Sequence, residues 1–500
     1  MLIPSSIFLW HGVAVILEPV AAREWQASAK LAARHSIDIN RPPPPVKAVP
    51  MERNFLAHPY LQALITQPAT AKRDQLAVIH QIIKPHLPAL PEAGDTGQGA
   101  DLIGVMESLD SELPDLLEQA GASQSLGGNL LAVLDRTGIP WQELTEAAVR
   151  PCSQFPPMGS TPPADAFQHP ANTISVAPKI GQFMKLAELR TYAALESRNH
   201  KVAAESLLLQ MRVIDGYLDG GNLLYLIFGN AFTSSVLNQI REGLSKNLWH
   251  PADLDWFTGW FERSEIESQL KLVLEAELFF DQREMDYVEE NPFAPDHQYA
   301  AIAGTEAARL LPGNTGAPFS QDWLLPLRGH SEWLYRCVPP AVFQVWKAHA
   351  VRTICKKQLQ PLDKIGLLGL VVPDEPDEFG DSPLSMEKLA LGFTRNKARI
   401  QLFLTSRALA QWHATSQDYP TDLQPNGLAR NGLARFKNFT TDPFSSKLLK
   451  YKRLSPTTYR LYSLGADFVD QGGEPITDGE GDICWHRTEN PKAAGAASGK

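Results

Sequence analysis

Six carboxylates, Asp467, Asp470, Glu474, Asp478, Glu480 and Asp482, fall within sixteen residues near the end of the chain, interleaved with Gly465, Gly472, Gly473, Gly479 and Gly481. Calcium takes roughly six to eight oxygen ligands from carboxylates and backbone carbonyls. Glycines let a loop turn both kinds of oxygen toward one ion. Carboxylates this close also repel one another, so the stretch needs either a cation or full exposure to water. Two readings stand at this point: a calcium-holding loop, or a solvated acidic turn with no ion.

Other chemistry finds little footing. The chain has no GxSxG, HExxH or Walker A pattern, and no GxGxxG set between a strand and a helix. The stretch Gly94 to Gly99 lacks the Lys-Ser/Thr that a phosphate loop requires and reads as a plain loop. His80 and His86 are six positions apart and would face different sides of a helix. Glu262, Glu265, Glu275 and Glu277 sit on helical texture without an ExxH partner, and are expected on solvated helix faces. Trp249, Trp256, Phe257, Trp260 and Phe261 have helical spacing and are expected as a core stripe, the alternative being an exposed platform for a partner or glycan. Cys152, Cys337, Cys355 and Cys484 are too scattered for a zinc site and read as free thiols, although an even count permits disulfides. The net charge is −10 without a basic run, which argues against nucleic acid as a partner. No enzyme activity is expected. The rival is an enzyme whose site is assembled without a linear motif.

The elements that would position these residues can be read from the pattern. Hydrophobic residues are 44% and charged residues 20% of the chain, which allows ordinary cores and excludes wholesale disorder. Residues 1 to 17 carry no charged side chain apart from His11, and Glu18-Pro19 ends the run. It is at the short limit of the roughly 20 apolar residues a membrane span needs, and it lacks the basic start of a secretory signal. Residues 1–22 are expected to be a membrane anchor or signal-like segment, with a partly buried N-terminal helix as the alternative. Residues 23–50 add a helix and a proline-rich linker, with Arg41 to Pro45 extended as a polyproline stalk.

Residues 51–365 form the expected helical body. Short helices are predicted at 54–66, 71–86, 102–119 and 130–134, followed by a proline-rich connection at 151–170. Phe183, Leu186, Leu189 and Ala193 recur at helical spacing within 183–197. A break at Asn199-His200 leads into further helices at 202–218 and 223–244, and another opens at Pro251 and runs to about Tyr287 with a break. The first pair has the look of a tetratricopeptide-like hairpin, without a strict repeat period. A loop at 291–325 and a helix at 340–359 complete the body. The texture then changes: a helix at 394–415, a turn at Asp442-Pro443-Phe444, and strands at Leu448–Arg453 and Tyr459–Leu464 make an α+β module over 385–490. Residues 491–500 read as a disordered tail.

In that module the blocks "DYPTDL", "TDPFSSKLLKYKR", "YRLYSLGADFVDQGGEP" and "GDICW" follow the helix in order. Together they resemble the periplasmic part of the major pseudopilin of type II secretion systems, over about one fifth of the chain. Phe444 stands where that family has tryptophan, and Ser445 and Ser446 occupy its glycine–asparagine positions. The prepilin motif is absent, so a filament subunit is not implied. The resemblance implies calcium bound through the backbone carbonyl of Leu464 and the carboxylate of Asp467, and less directly through Asp482. The chain as a whole also resembles a group of membrane-anchored bacterial envelope proteins with a helical body, through Arg23-Glu24-Trp25, Pro42 to Val46, Asn54-Phe55 and Pro59. That resemblance brings no activity with it. The expectation is a mainly α chain, with a hairpin or solenoid-like body and a small pseudopilin-like α+β module. It would be held in the cell envelope, anchored or periplasmic, and bind a protein partner. An accessory role in a secretion or pilus-like system is a further alternative.

Overall fold

A computed structural model describes residues 3–34, 36–38, 49–66, 125–155, 169–219, 223–264, 268–276, 278–279, 348, 351–352, 355–356, 359, 386–423, 439–473 and 481–487. Among these residues the chain is mostly helical, with one small antiparallel sheet. The expected polyproline stalk, the helices at 71–86 and 102–119, the 291–325 loop, most of the 340–359 helix and the tail lie outside the described residues.

The chain divides into two compact units. The first combines Met1–Pro45 with Lys271–Lys364 and Leu370–Glu375. Its longest described element is α1, Ile3–Arg34, which continues through Pro19. The apolar run ends there, and the helix does not end with it. A proline removes only one helical N–H, and the alanines and Glu18 around it favour helix. Ala32 and Ile37 are buried together with Val273, Leu274, Val351 and Cys355 in the same unit. Glu24 pairs with Arg352 at 2.7 Å. Glu275 is only 7% exposed, which corrects the expectation of a solvated face. No helix among the described residues is long and apolar enough to cross a membrane.

The second unit holds Val46–Leu270, Ile365–Gly369 and Pro376–Lys500. It opens with two 3-10 turns, Met51–Arg53 and Phe55–Ala57, and α2, Pro59–Thr66. Asn54 is their fastener. Its amide donates to the Gln154 carbonyl at 2.7 Å, and its Oδ1 accepts from Gln154 N at 2.8 Å. Two further helices, α3 (Leu126–Asp135) and α4 (Trp141–Ala147), precede a long α5 (His169–Glu196). Phe183, Leu186, Leu189 and Ala193 are all fully buried, so the predicted stripe is the core face of α5. Arg198 takes a left-handed φ of 56° just past its end. Asn199 then caps α6, His200–Leu218, by accepting from Val202 N at 3.2 Å. The break therefore falls at Ser197–Asn199, and His200, expected in the break, is the first residue of α6. Next comes α7, Leu223–Ser245, and α8, Pro251–Arg263. Between them the Trp249 indole packs against Gly243, where an added Cβ would overlap the ring. The indole N–H donates to the Ile240 carbonyl at 2.8 Å, one turn before the end of α7, and so fixes the ring against the helix. Trp249, Phe257, Trp260 and Phe261 are buried and Trp256 is 36% exposed, so the aromatic stripe is core at four of its five positions.

The last described helix, α9 (Met386–Ser416), is buried at most residues from 390 to 409. One side meets α7 through polar groups: the Asn396 amide donates to the Asn230 carbonyl at 2.6 Å, and Arg399 donates to the Ser234 hydroxyl. Another side is apolar, where Phe403 touches the rings of Phe261 at 5.5 Å and Trp485 at 5.7 Å. The sheet beside it is a meander of β1 (Lys450–Ser455), β2 (Thr458–Ser463) and β3 (Ile483–Arg487) in the order β1-β2-β3. Tyr451 pairs with Leu461, and Ser463 with Ile483. Both predicted strands exist, with β1 starting two residues later than expected, because Leu448 is spent on an isolated bridge to Thr441.

Candidate functional site

The acidic loop leaves β2 at Ser463 and returns as β3 at Ile483. Its foundation is Asp442, 1% exposed, in the Asp-Pro-Phe turn. Asp442 Oδ1 accepts from Ser463 Oγ at 2.7 Å and Phe444 N at 3.1 Å, while Oδ2 accepts from Ser445 Oγ at 2.9 Å and Leu464 N at 3.2 Å. Four donors satisfy this buried carboxylate and clamp the turn to the end of β2. The sequence marks the turn. It gives no sign that the aspartate reaches 21 residues forward to Ser463.

Leu464 therefore sits at a fixed point, 9% exposed, with its N–H on Asp442. Asp467 follows: Oδ1 accepts from Val469 N at 3.0 Å and Oδ2 from Gln471 Nε2 at 2.6 Å. The same glutamine accepts from the backbone N of Asp482 at 3.1 Å. Gln471, which sequence reasoning passes over, thus brings Asp467 and Asp482 to one place. Asp482 is 3% exposed, and its Oδ2 accepts from Gly473 N at 2.7 Å. Gly473 has a φ of +81°, and a Cβ there would collide with Arg460 and Tyr462, so only glycine fits. Asp470 is used differently. It takes Tyr462 Oη at 2.9 Å and Gly472 N at 3.0 Å on Oδ1, and Lys450 Nζ at 3.0 Å on Oδ2.

Five of the six carboxylate oxygens of Asp467, Asp470 and Asp482 thus have a protein partner. The sixth, Asp482 Oδ1, is buried with none. Burial pushes the Asp482 carboxyl above the ordinary carboxylate range, and the charges of Asp470 and Asp467 push it further against the N–H groups of Gly473 and Gln471. Asp470 goes the other way, because Lys450 and Tyr462 bond to its ionised form. Hard oxygen donors of this kind suit calcium. Among the described residues, however, no three His, Cys, Asp or Glu side chains are already gathered as a metal cage. Glu474, Asp478 and Glu480 lie outside the described residues, as do His80, His86, Gly94 to Gly99, Glu265 and Glu277. Cys152 and Cys484 are half-buried and Cys355 is buried, while Cys337 lies outside the described residues.

Compared with protein-family models, curated proteins and solved structures, the chain finds no match in any of the three.

Proposed function

We propose that this chain is a helical scaffold of the cell envelope that binds a protein partner through its C-terminal module, a pseudopilin-like α+β unit whose acidic loop is completed by calcium. The observation that carries the reading is Asp482 Oδ1, a buried carboxylate oxygen without a partner beside two further aspartates. A cation there offsets both the burial and the repulsion. Asp467 and the Leu464 carbonyl would supply further ligands, and Gln471 and Asp442 hold both in position. The pseudopilin likeness is supported by a helix followed by a three-stranded antiparallel meander, and by the order of the sequence blocks. The envelope placement rests on the uncharged run at residues 1–17 and on the two sequence resemblances. The reading assigns no catalytic step.

The test is a pull-down with the full chain from solubilised membranes, run with millimolar-order calcium and again with a chelator, read by mass spectrometry. A partner retained with calcium and lost with the chelator is the expected result. No specific partner in either condition sinks the binding role, and a partner indifferent to the chelator removes calcium from it.

A further inference from the structure

The tip of the acidic loop carries two apolar side chains in water. Phe468 is 55% exposed and Val469 is 56% exposed. Phe468 also adopts a φ of +57°, a left-handed backbone that costs a bulky residue free energy and that glycine takes without strain. Burial inside the chain does not offset that cost, since the residue is more than half exposed. The tip is also not loose. Asp467 holds the Val469 N–H and Gln471 on one side, and Tyr462 and Lys450 hold Asp470 on the other. A strained, exposed aromatic on a tied-down base is preorganised for contact with something outside the chain.

The surrounding charge selects the occupant. Residues 467–482 hold six carboxylates and no Lys or Arg, so the loop stays anionic even with Lys450 on Asp470 and a divalent cation on Asp467. An anionic bilayer would repel it, and a second copy would set identical acidic flanks against each other. We infer that the Phe468–Val469 tip is a docking knob for a protein partner that presents an apolar pocket rimmed by Arg or Lys. An aromatic anchor in a pocket with complementary charges at its rim is the usual make-up of an interface hot spot. The inference rests on the protein-binding reading above and names the contact it uses.

The test uses the full chain carrying Phe468→p-benzoylphenylalanine, irradiated in the cells that natively make it, with the same group at Val149, which is 81% exposed, as control. Position 468 gives one discrete protein adduct that position 149 does not, mapped to an apolar segment with Arg or Lys beside it. That partner, purified, binds the Phe468→Gly chain about tenfold or more weakly than wild type, although the variant melts no lower, because glycine relieves the backbone. An adduct to a second copy, an adduct to lipid alone, no adduct at 468, or unchanged affinity of Phe468→Gly each overturns the inference. If the wild-type pull-down still yields a partner in those cases, only the knob falls. If that pull-down is empty, the binding reading itself fails.

Discussion

Asp482 places an ionisable group where water does not reach, and its titration has a readable sign. Its carboxyl is raised in the folded chain, chiefly by burial. The folded state therefore keeps a proton that the unfolded state has already lost. The stability this contributes is complete below the ordinary carboxylate range and is lost as pH rises through the raised value. Asp482→Asn should flatten that fall. Calcium should raise the melting temperature of the full wild-type chain and leave Asp482→Asn unmoved. If thermal melts at millimolar-order calcium show no shift for wild type, the loop is a solvated acidic turn. His58 has the opposite behaviour. Its Nδ1 accepts the Tyr60 N–H at 3.3 Å and so caps α2. Burial, and then Arg150, lower its pKa, and Glu143 opposes them. The stability from neutral His58 is present above pH about 6.5 and is lost as pH falls through the lowered value. Urea melts at neutral and mildly acid pH should show this loss in wild type. It should be absent in His58→Asn, which keeps an acceptor at the cap, while His58→Ala costs about 1 kcal/mol at neutral pH.

At the scale of elements, the α5–α6–α7 packing combines an apolar core with a polar ladder. Gln210 and Gln239 exchange side-chain amide bonds at 2.9 Å in both directions, Gln210 also reaches Thr191, and Ser235 donates to Glu188. Each group is buried and satisfied, so the ladder fixes how these helices face one another. Gly243 is the tightest contact at the α7 end. Gly243→Ala should displace Trp249 and destabilise the chain by about 1–3 kcal/mol, with a shift in tryptophan fluorescence; an unchanged melt and spectrum would show that the indole seat is dispensable. Helical periodicity made α6, α7 and the second half of α5 legible, because their apolar faces are continuous, whereas α5 begins at His169, well ahead of the predicted 183. The short α4 left no signal, since seven residues after Pro140 span barely two turns. The third strand was missed for a related reason: Ile483 to Arg487 is only five residues long and follows glycine and acid. Of the candidate site, the aspartates could be read from composition and resemblance. The Gln471 bridge and the reach of Asp442 could not, because both join residues that only the fold brings together.

For the whole molecule, the division into units departs from the order of the sequence. The expected helical body of 51–365 is shared between them, with Lys271 onward in the first unit. The expected C-terminal module does not stand apart in the second: α9 shares a core with α7, α8 and the sheet. Truncation at residue 385 would therefore expose Phe261 and the polar face of α7, and studies of the acidic loop belong on the full chain. Location is a property of the whole molecule too. The envelope reading predicts that the cellular protein partitions with membranes or periplasm on fractionation, and recovery of the full-length chain wholly in the cytosol would refute it.

The polar seam between α7 and α9 also bears on how the chain is made. Asn230 and its partner Asn396 are 166 residues apart. At the usual pace of synthesis, about 5–20 residues per second, α7 emerges roughly ten to thirty seconds before the helix that will cover it. An apolar surface left open for that interval would invite aggregation. Asn230 and Ser234 can bond water while they wait, and exchange it for Asn396 and Arg399 once α9 arrives. The seam should therefore keep that face of α7 hydrated until α9 is available.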